Sequence, residues 1–326
     1  MLRHEILHIL AAHPNEYVSG EKISQQLKVT RAAIWKQIKV LKEKGFEIDG
    51  QTKIGYCLLK TPLSLNEWVL KTKLTTTSLG NKICLEDELE STNTRAKELA
   101  MQGGVHGQVV LARCQSSGRG RLQRHWESPK GGLWMSVILR PNLSLADASK
   151  LTLAASVAIA DVFEELYSLR VGIKWPNDLL FNGLKIVGIL GEVVGEWNTV
   201  QALILGMGIN ANFTRKRLSP LLNATTLLEI LKYEVDLNIL AAAILKNLEQ
   251  YVILLEKKRF EELRVRWLER AICLGEEVRI LREEQMIRGI FQGITSDGAL
   301  LLETEDGLTS FSGGEVRLRS KSGGYF

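Results

Sequence analysis

The sequence has little of what marks several common classes of protein. Among 326 residues there are four cysteines, and none lies near another, which excludes a C-x-x-C metal or redox motif: Cys57, Cys84, Cys114 and Cys273. No apolar run reaches the length of a membrane-spanning helix, and residues 1–10 are too polar to predict a signal peptide. We therefore expect a cytoplasmic protein without a membrane partner.

Familiar nucleotide and metal motifs are also missing or incomplete. The chain has no G-x-x-x-x-G-K-[ST] phosphate loop, and Gly206-Met207-Gly208 is not followed by the third glycine of a dinucleotide-binding motif. His4 and His8 match H-E-x-x-H, but no other histidine of the sequence offers a convincing third zinc ligand. This pattern therefore does not predict a zinc protease.

Positive charge is concentrated in the first part of the chain. The whole sequence has a net charge of +5, and residues 1–60, with ten Lys and Arg against six Asp and Glu, contribute +4. The apolar spacing there predicts three helices and then two short strands, at 2–12, 20–27, 31–44, 46–48 and 55–59. Ser19 and Thr30 are the expected N-caps of the second and third helices. This order of elements is typical of a winged helix-turn-helix.

A basic domain of this type predicts binding to operator DNA. The candidate contacts lie where the second helix begins, on the third helix and on the wing: Gly20, Thr30, Arg31, Trp35, Lys36, Lys39 and Lys53. The alternative is a small helical packing domain with no nucleic-acid role, which the local excess of positive charge disfavours.

The rest of the chain predicts two further domains after a linker at 61–66. Residues 67–270 alternate short strands with helices, and hairpin-length turns such as Asn182-Gly183 favour antiparallel pairing, which makes an α+β domain with helices on a mixed sheet. Its expected strands include 171–175, 178–181, 184–194 and 199–207, and its expected long helices are 145–167 and 239–270. Residues 271–326 contain short strands and turn signals that are typical of a small SH3-like barrel.

Two polar segments carry the residues best suited to chemistry. Residues 116–126 place Arg119, Arg121 and Arg124 in a loop loosened by glycine, and an arginine fork matches the oxygens of phosphate or carboxylate. The second segment, Lys174 to Asp178, combines a cation, an amide and a carboxylate. A mobile basic loop suits a polyanionic ligand that is bound, enclosed and released. The alternative for the loop is a solvated basic surface.

Both segments resemble the biotin protein ligases, whose motifs occur here in the family's order. The similar segments are Ser91-Thr92-Asn93, Gln115 with Gly118-Arg119-Gly120-Arg121 and Trp126, Lys174-Trp-Pro-Asn-Asp178, Lys185-Ile-Val-Gly188-Ile-Leu, the glycine-asparagine stretch 206–210, and Gly313-Gly314-Glu315 with Arg317. One position departs from the fullest family pattern, because Gln123 stands where that pattern has a glycine.

The resemblance implies a fold, ligands and partners. The central domain would have the mixed sheet of class II synthetases. Its substrates would be biotin and ATP with Mg²⁺, its intermediate biotinyl-5′-AMP, and its acceptor a lysine of a biotin carboxyl carrier protein or domain. Family members with an N-terminal winged helix also repress transcription, which implies biotinyl-5′-AMP as corepressor. Because an operator is longer than one recognition helix can read, we also expect a homodimer, favoured when the adenylate is bound.

The resemblance also assigns residues. Lys185, Arg119 and Arg121 are the expected catalytic residues, with Lys185 between the biotin carboxylate and the α-phosphate. The expected biotin-binding residues are Ser91, Thr92, Asn93, Gln115, Arg119, Gly120, Arg121 and Lys185. The expected ATP-binding residues are Arg121, Arg124, Trp126, Lys174, Asn177, Asp178, Asn210 and Arg317, and Asp178 is also the expected contact of Mg²⁺ through ATP.

Two other functions remain open from the sequence. A lipoyl or octanoyl protein ligase would have a related fold, although the G-R-G-R loop with K-W-P-N-D and an N-terminal winged helix are not expected there. A binding-only, biotin-responsive repressor would keep the ligand domain without catalysis. Intact Arg119, Arg121 and Lys185 disfavour this second alternative.

Overall fold

A computed structural model describes residues 2–143, 147–196, 199–282, 285–312 and 317–320. The chain divides into two compact units, Met1–Thr72 and Lys73–Phe326. The first unit extends past the expected linker at 61–66 into helix α4 (Glu67–Lys73). The apolar side chains of Trp68 and Val69 on that helix are buried in the core of the first unit, which explains why the compact unit runs beyond residue 60.

The first unit is a winged helix-turn-helix, as the sequence predicts. Its elements are α1 (Leu2–Ala11), α2 (Gly20–Leu27), α3 (Arg31–Glu43), β1 (Glu47–Gln51), β2 (Gly55–Lys60) and α4 (Glu67–Lys73). Ser19 Oγ accepts from the Lys22 amide at 3.1 Å, and Thr30 Oγ1 accepts from the Ala33 amide at 3.2 Å. Both predicted N-caps are therefore formed.

The second unit is built on a mixed seven-stranded sheet. Its strands are β3 (Ile83–Glu86), β4 (Val109–Ala112), β5 (Leu133–Leu139), β6 (Gly172–Lys174), β7 (Asp178–Phe181), β8 (Leu184–Glu196) and β9 (Thr199–Ile209). Their order is β3-β4-β5-β9-β8-β7-β6, with β3 and β4 parallel and the other pairs antiparallel. Asn182 and Gly183 join β7 to β8 with φ of 48° and 78°, the left-handed conformations of a two-residue hairpin turn.

Helices pack on this sheet. They are α5 (Thr92–Met101), α6 (Ala148–Tyr167), α7 (Leu227–Leu231), α8 (Leu237–Glu256) and α9 (Phe260–Leu268). The predicted single helical stretch 239–270 is wrong, because Lys258, with φ of 58°, ends α8 before α9 begins. By length and composition α8 could cross a membrane, but 61% of its apolar window is buried inside the protein, and it packs against α6. It is therefore placed as a core helix.

The end of the chain forms a five-stranded antiparallel sheet. Its strands are β10 (Glu277–Arg282), β11 (Gln285–Ile294), β12 (Leu300–Thr304), β13 (Gly307–Phe311) and β14 (Arg317–Ser320), in the order β13-β12-β11-β10-β14. The predicted all-β domain is thus confirmed. Strand β13, which the sequence did not predict, begins directly after the turn at Glu305-Asp306. Trp175 Nε1 donates to the Gly298 carbonyl at 3.2 Å, which ties this domain to the end of β6.

Candidate active site

One cavity of about 520 Å³ brings the separate sequence motifs together. It is lined by residues of α5, β6 to β9, the loop after β4 and the strand β14. The predicted biotin and ATP residues in its wall are Ser91, Thr92, Asn93, Gln115, Arg119, Gly120, Arg121, Arg124, Trp126, Lys174, Asn177, Asp178, Lys185 and Asn210. Antiparallel pairing of β7, β8 and β9 explains this convergence, since it places three of the motifs side by side across the sheet.

Neutral polar groups at the start of α5 are buried and hold one another in place. Thr92 and Asn93 are 5% and 4% exposed. The Gln115 side-chain oxygen accepts from the Thr92 amide at 2.7 Å, and its amide nitrogen donates to Ser128 Oγ at 2.7 Å. The side chains that face the cavity are thus pre-positioned by their own hydrogen bonds.

Ser136 on β5 completes this polar wall, although it was not among the predicted site residues. Its Oγ lies 2.8 Å from Thr92 Oγ1 and 2.6 Å from Asn93 Oδ1. Gly206 on β9 makes room for the Asn93 side chain, because a Cβ there would lie 2.1 Å from Asn93 Oδ1. A single hydroxyl in the otherwise apolar strand Leu133–Leu139 was the available signal, since a fully buried strand leaves such a group in need of a partner.

Trp126 lies against the two central strands. A Cβ at Gly188 or Gly208 would lie 2.7 or 2.6 Å from its indole, so only glycine permits this approach. The ring makes an edge contact with Trp134 at 6.5 Å between centroids, and Lys185 Nζ lies 4.8 Å from its centroid. The indole of Trp126 thus contacts a core residue, Trp134, and a predicted catalytic residue, Lys185.

Positive groups surround one carboxylate in the cavity wall. Lys185 Nζ lies 2.6 Å from Asp178 Oδ1, and Arg121 Nη1 donates to Asn177 Oδ1 at 3.4 Å. Burial lowers the pKa of Lys174 to about 7, although Asp178 opposes the shift. Burial also lowers the pKa of Arg121, again opposed by Asp178. This excess of cations is suited to a polyanionic ligand.

The backbone conformation at Gln123 is one that favours glycine, the residue of the fullest family pattern at this position of the arginine loop. Its φ is +58°, a left-handed conformation that glycine adopts without strain and glutamine does not. In return, Gln123 Oε1 accepts from Arg119 Nη2 at 3.0 Å. Arg119 Nη2 also lies 4.0 Å from Glu192 Oε1 on β8. Glutamine at this position therefore has a less favourable backbone conformation than glycine would, but it adds a side-chain hydrogen bond with Arg119 within the loop.

Glu192 and Arg319 are further residues that the sequence analysis did not select. Glu192 accepts from Asn93 Nδ2 at 2.7 Å and from Lys97 Nζ at 2.5 Å. Arg319 on β14 lines the cavity and lowers the pKa of Lys174. The predicted residue Arg317 is paired through its backbone with Leu281, but its side chain, like Gly313 to Glu315, lies outside the described residues, so its ATP role stays a prediction.

The candidate DNA contacts lie in the first unit. Arg31, Trp35, Lys36 and Lys39 are exposed on α3, and Lys53 is exposed in the turn between β1 and β2. Thr30 is also exposed, with its hydroxyl engaged in the α3 cap, whereas Gly20 is half-buried beside Tyr56. The first unit thus has a basic helix and a basic wing tip, the two elements with which a winged helix contacts DNA.

Comparisons with known proteins cover the same regions. A family model described as the Biotin/lipoate A/B protein ligase family matches residues 86–210, a Biotin protein ligase C terminal domain matches 273–319, and an HTH domain matches 3–57. Among solved structures, the biotin protein ligase from Aquifex aeolicus in complex with biotin and ATP is similar with a TM-score of 0.64 and 30% identity. It covers 74% of this chain and 100% of that one.

Two curated relatives extend the similarity to the first unit. The chain is 34% identical to the bifunctional ligase/repressor BirA of Bacillus subtilis, over 97% of this chain and 98% of that protein. It is 31% identical to the protein of the same name from Escherichia coli, over 94% of each. The first family model includes lipoate ligases, so it does not by itself exclude a lipoyl ligase. The two curated relatives favour a biotin ligase that is also a repressor over a lipoyl ligase or a binding-only repressor. The chain, similar to these proteins from its helix-turn-helix to its C-terminal sheet, belongs to the family of bifunctional biotin ligase/repressors.

Proposed function

We propose that the cavity binds biotin through its neutral polar groups and ATP through its cations, and joins them as biotinyl-5′-AMP. One observation carries this proposal: a single cavity is lined both by the buried side chains of Thr92 and Asn93, with the half-buried Gln115, and by Lys174 and Lys185. A buried ureido ring needs neutral donors and acceptors, whereas a carboxylate and a triphosphate need fixed cations.

Lys185 has the central part in the first step. A biotin carboxylate oxygen attacks the α-phosphorus of ATP, the new oxygen–phosphorus bond replaces the bond to the β-phosphate, and pyrophosphate leaves. Repulsion between the two anions opposes their approach, and a fixed ammonium offsets it. Because Lys185 is held 2.6 Å from Asp178, the ligands share an ammonium whose position is already set.

The arginine loop encloses the reacting groups. Arg119 and Arg121 contact the carboxylate and the α-phosphate when the loop folds over them, and Arg124 contacts the leaving pyrophosphate. Arg121 is already anchored beside the site by Asn177, whose own amide nitrogen donates to the Ile189 carbonyl at 2.8 Å. The loop thus needs to move little around this arginine to close.

Asn210 and Trp126 are suited to the adenine. Asn210 Nδ2 donates to the Thr225 carbonyl at 3.1 Å, while its buried Oδ1 has no hydrogen-bond partner among the described residues. A buried acceptor of this kind requires a donor, and the exocyclic amine of adenine supplies one. The Trp126 indole offers an aromatic surface for the base.

Mg²⁺ fits this site as an ion held mainly by the triphosphate. Within the described part of the chain, no group of three or more His, Cys, Asp or Glu could hold a metal. The cavity instead offers the carboxylate of Asp178 and the amide of Asn177, and Mg²⁺ is commonly bound by one or two protein oxygens together with phosphates. The ion would neutralise charge on the phosphates, and Arg319 is a further candidate cation for the same purpose.

The second step requires no nucleophile from this chain. The ε-amine of a lysine on the biotin carboxyl carrier protein or domain attacks the acyl carbon of the adenylate. The carbon–nitrogen bond forms, the bond to AMP breaks, and the amine loses a proton. The four cysteines are free thiols, which supports work in the reducing cytoplasm.

Repression is proposed to depend on an adenylate-bound homodimer. β7 pairs with β8 only as far as Gly188, while β8 continues along β9 to Glu196. This leaves an open edge at 191–196 in the described sheet, where a second copy could pair. Glu192 lies on this edge and faces Arg119 at 4.0 Å. Ordering of the loop by biotinyl-5′-AMP would thus favour the dimer, and by linkage the dimer would favour the adenylate.

Pyrophosphate exchange into ATP tests the activity. We expect exchange that requires biotin and is not supported by lipoate, followed by transfer of biotin to a carrier-domain lysine. Exchange that responds to lipoate instead, or binding of biotin with no exchange, would overturn the assignment. Sedimentation and operator binding with and without biotinyl-5′-AMP test the repressor, and equal dimerisation in both conditions would refute the proposed coupling.

A further inference from the structure

The recognition helix α3 carries a large apolar side chain on its outer side. Trp35 is 60% exposed, while Ile34, Ile38 and Leu41 form the buried side of the same helix. The core of the first unit therefore does not include the indole. An exposed tryptophan on a helix that faces a ligand is a candidate contact residue rather than a packing residue.

The neighbours of Trp35 define a surface of mixed character. Arg31, Trp35 and Lys39 lie four residues apart, so they form one line along the helix, and Ala32, three residues before Trp35, is the adjacent position. All four are exposed, as is Lys36 beside them. The outer side of α3 thus has an apolar centre, formed by Ala32 and Trp35, with cations at both ends.

Charge complementarity selects the occupant of this surface. The flanking cations and the net charge of +4 over residues 1–60 favour a polyanion, and the helix fits the major groove of duplex DNA. The one apolar group that base edges present in that groove is the C5-methyl of thymine. A protein partner would have to cover the apolar centre and also neutralise Arg31, Lys36 and Lys39.

We propose that Ala32 and Trp35 read thymine methyl groups in the major groove of the operator. This inference rests on the proposed DNA contacts of α3 and adds to them the base that the helix selects. The cations position the helix on the phosphates without specifying sequence, whereas the apolar pair distinguishes thymine from cytosine and from unmethylated uracil. Specificity and affinity would therefore reside in different residues of one helix.

Replacement of thymine by deoxyuridine tests the inference, because it removes only the methyl group. The duplex is selected from a random pool by the full chain with biotin and ATP, and each thymine is then replaced singly. We expect about fourfold weaker binding at one or two positions in each half-site, equivalent to about 0.8 kcal/mol for one buried methyl group. Trp35→Ala should weaken binding to the thymine duplex and abolish the difference between thymine and deoxyuridine at one or more of these positions, where the indole contacts the methyl group.

Controls separate this inference from the proposed function. Leu59→Ala removes another exposed apolar side chain of the first unit, 54% exposed on β2, and should leave the thymine preference unchanged. Unaltered biotin ligation and thermal unfolding of Trp35→Ala would show an intact protein. Equal binding of both duplexes by the unsubstituted chain, or a preference that persists at every position in Trp35→Ala, overturns the inference while DNA binding stands.

Two further outcomes concern the partner itself. Loss of dimerisation in Trp35→Ala, with the thymine preference retained, would assign the surface to a second copy of the chain. Failure to select any duplex would overturn the proposed DNA contacts, and the inference with them.

Discussion

The cations of the cavity and those of the recognition helix are the same residue types in opposite environments. Lys174 is 3% exposed, and Lys185 is held by Asp178, whereas Lys36 and Lys39 are exposed on α3. A buried cation is fixed in position and little screened by salt, so it can stabilise charge at one place. An exposed cation is screened and tolerant of position, which suits contact with a regular line of phosphates. The difference indicates that catalysis depends on the exact positions of the cavity cations, whereas DNA affinity depends on how many cations the recognition helix carries.

The largest effect should come from Lys185. Lys185→Ala removes the ammonium that offsets repulsion between the two anions and leaves Asp178 to add to it. We expect a loss of about 3 kcal/mol or more in transition-state stabilisation, more than a hundredfold in rate. Biotin-dependent pyrophosphate exchange measures it, with exposed Lys82→Ala as the matched control. Wild-type exchange in Lys185→Ala would remove this residue from the mechanism.

Arg121 should affect the intermediate more than the first substrate. Arg121→Gly should release biotinyl-5′-AMP about tenfold or more faster, as expected for the loss of charge-assisted hydrogen bonds, with a smaller effect on biotin affinity. Released anhydride would then label nearby lysines without selectivity. Arg121→Met removes the charge without adding backbone freedom and should behave alike. An unchanged adenylate dissociation rate with a collapse of biotin affinity would contradict the proposed role.

Lys174 should make ATP binding depend on proton uptake. Its pKa is lowered to about 7, so near pH 8 the folded protein holds this lysine mostly neutral, and a bound triphosphate would restore its charge. We expect uptake approaching one proton per ATP near pH 8, falling as the pH drops below 7. Calorimetry in buffers of different ionisation enthalpy measures it. Uptake should disappear in Lys174→Met, and uptake that persists there would assign the proton to another group.

The same pKa has a consequence for stability. The unfolded chain, with an ordinary lysine pKa near 10.5, binds more protons than the folded chain between about pH 7 and that value. Stability contributed through Lys174 should therefore rise with pH across this window and be constant below it. Lys174→Met should remove that part of the rise, which urea unfolding at several pH values can detect.

The sequence predicted those parts of the fold that have a local signal. The caps Ser19 and Thr30 and the turn at Asn182-Gly183 were correctly assigned, because side-chain capping and left-handed turn conformations depend on neighbouring residues. The break between α8 and α9 at Lys258 was missed, since the apolar spacing continues across it and only packing decides where the helix ends.

The site was predicted where motifs are contiguous and missed where partners are remote. Ser136 and Glu192 reach Asn93 from strands more than forty residues away, and nothing near them in the sequence marks that approach. Arg317 and Arg319 are separated by one residue on β14, so spacing alone could not show which of them lines the cavity. The structure identifies Arg319 as a residue of the cavity wall.

The smallest effect should come from one cation of α3, and its dependence on salt should complete the comparison. Lys36→Ala should weaken operator binding by a few fold, similarly for specific and nonspecific duplexes, because a phosphate contact carries no sequence information. It should also reduce the slope of log K against log salt by about 0.9, the value for one lost phosphate contact. Anisotropy titrations from 50 to 300 mM salt measure both, and the loss should shrink as salt rises. The defect of Lys185→Ala over the same range should stay nearly constant, since its ammonium is paired with Asp178 at 2.6 Å and only 22% of its side chain is exposed. A salt-independent defect in Lys36→Ala would indicate a direct base contact instead. The proposed difference between the fixed cations of the cavity and the exposed, phosphate-binding cations of the helix would then be wrong.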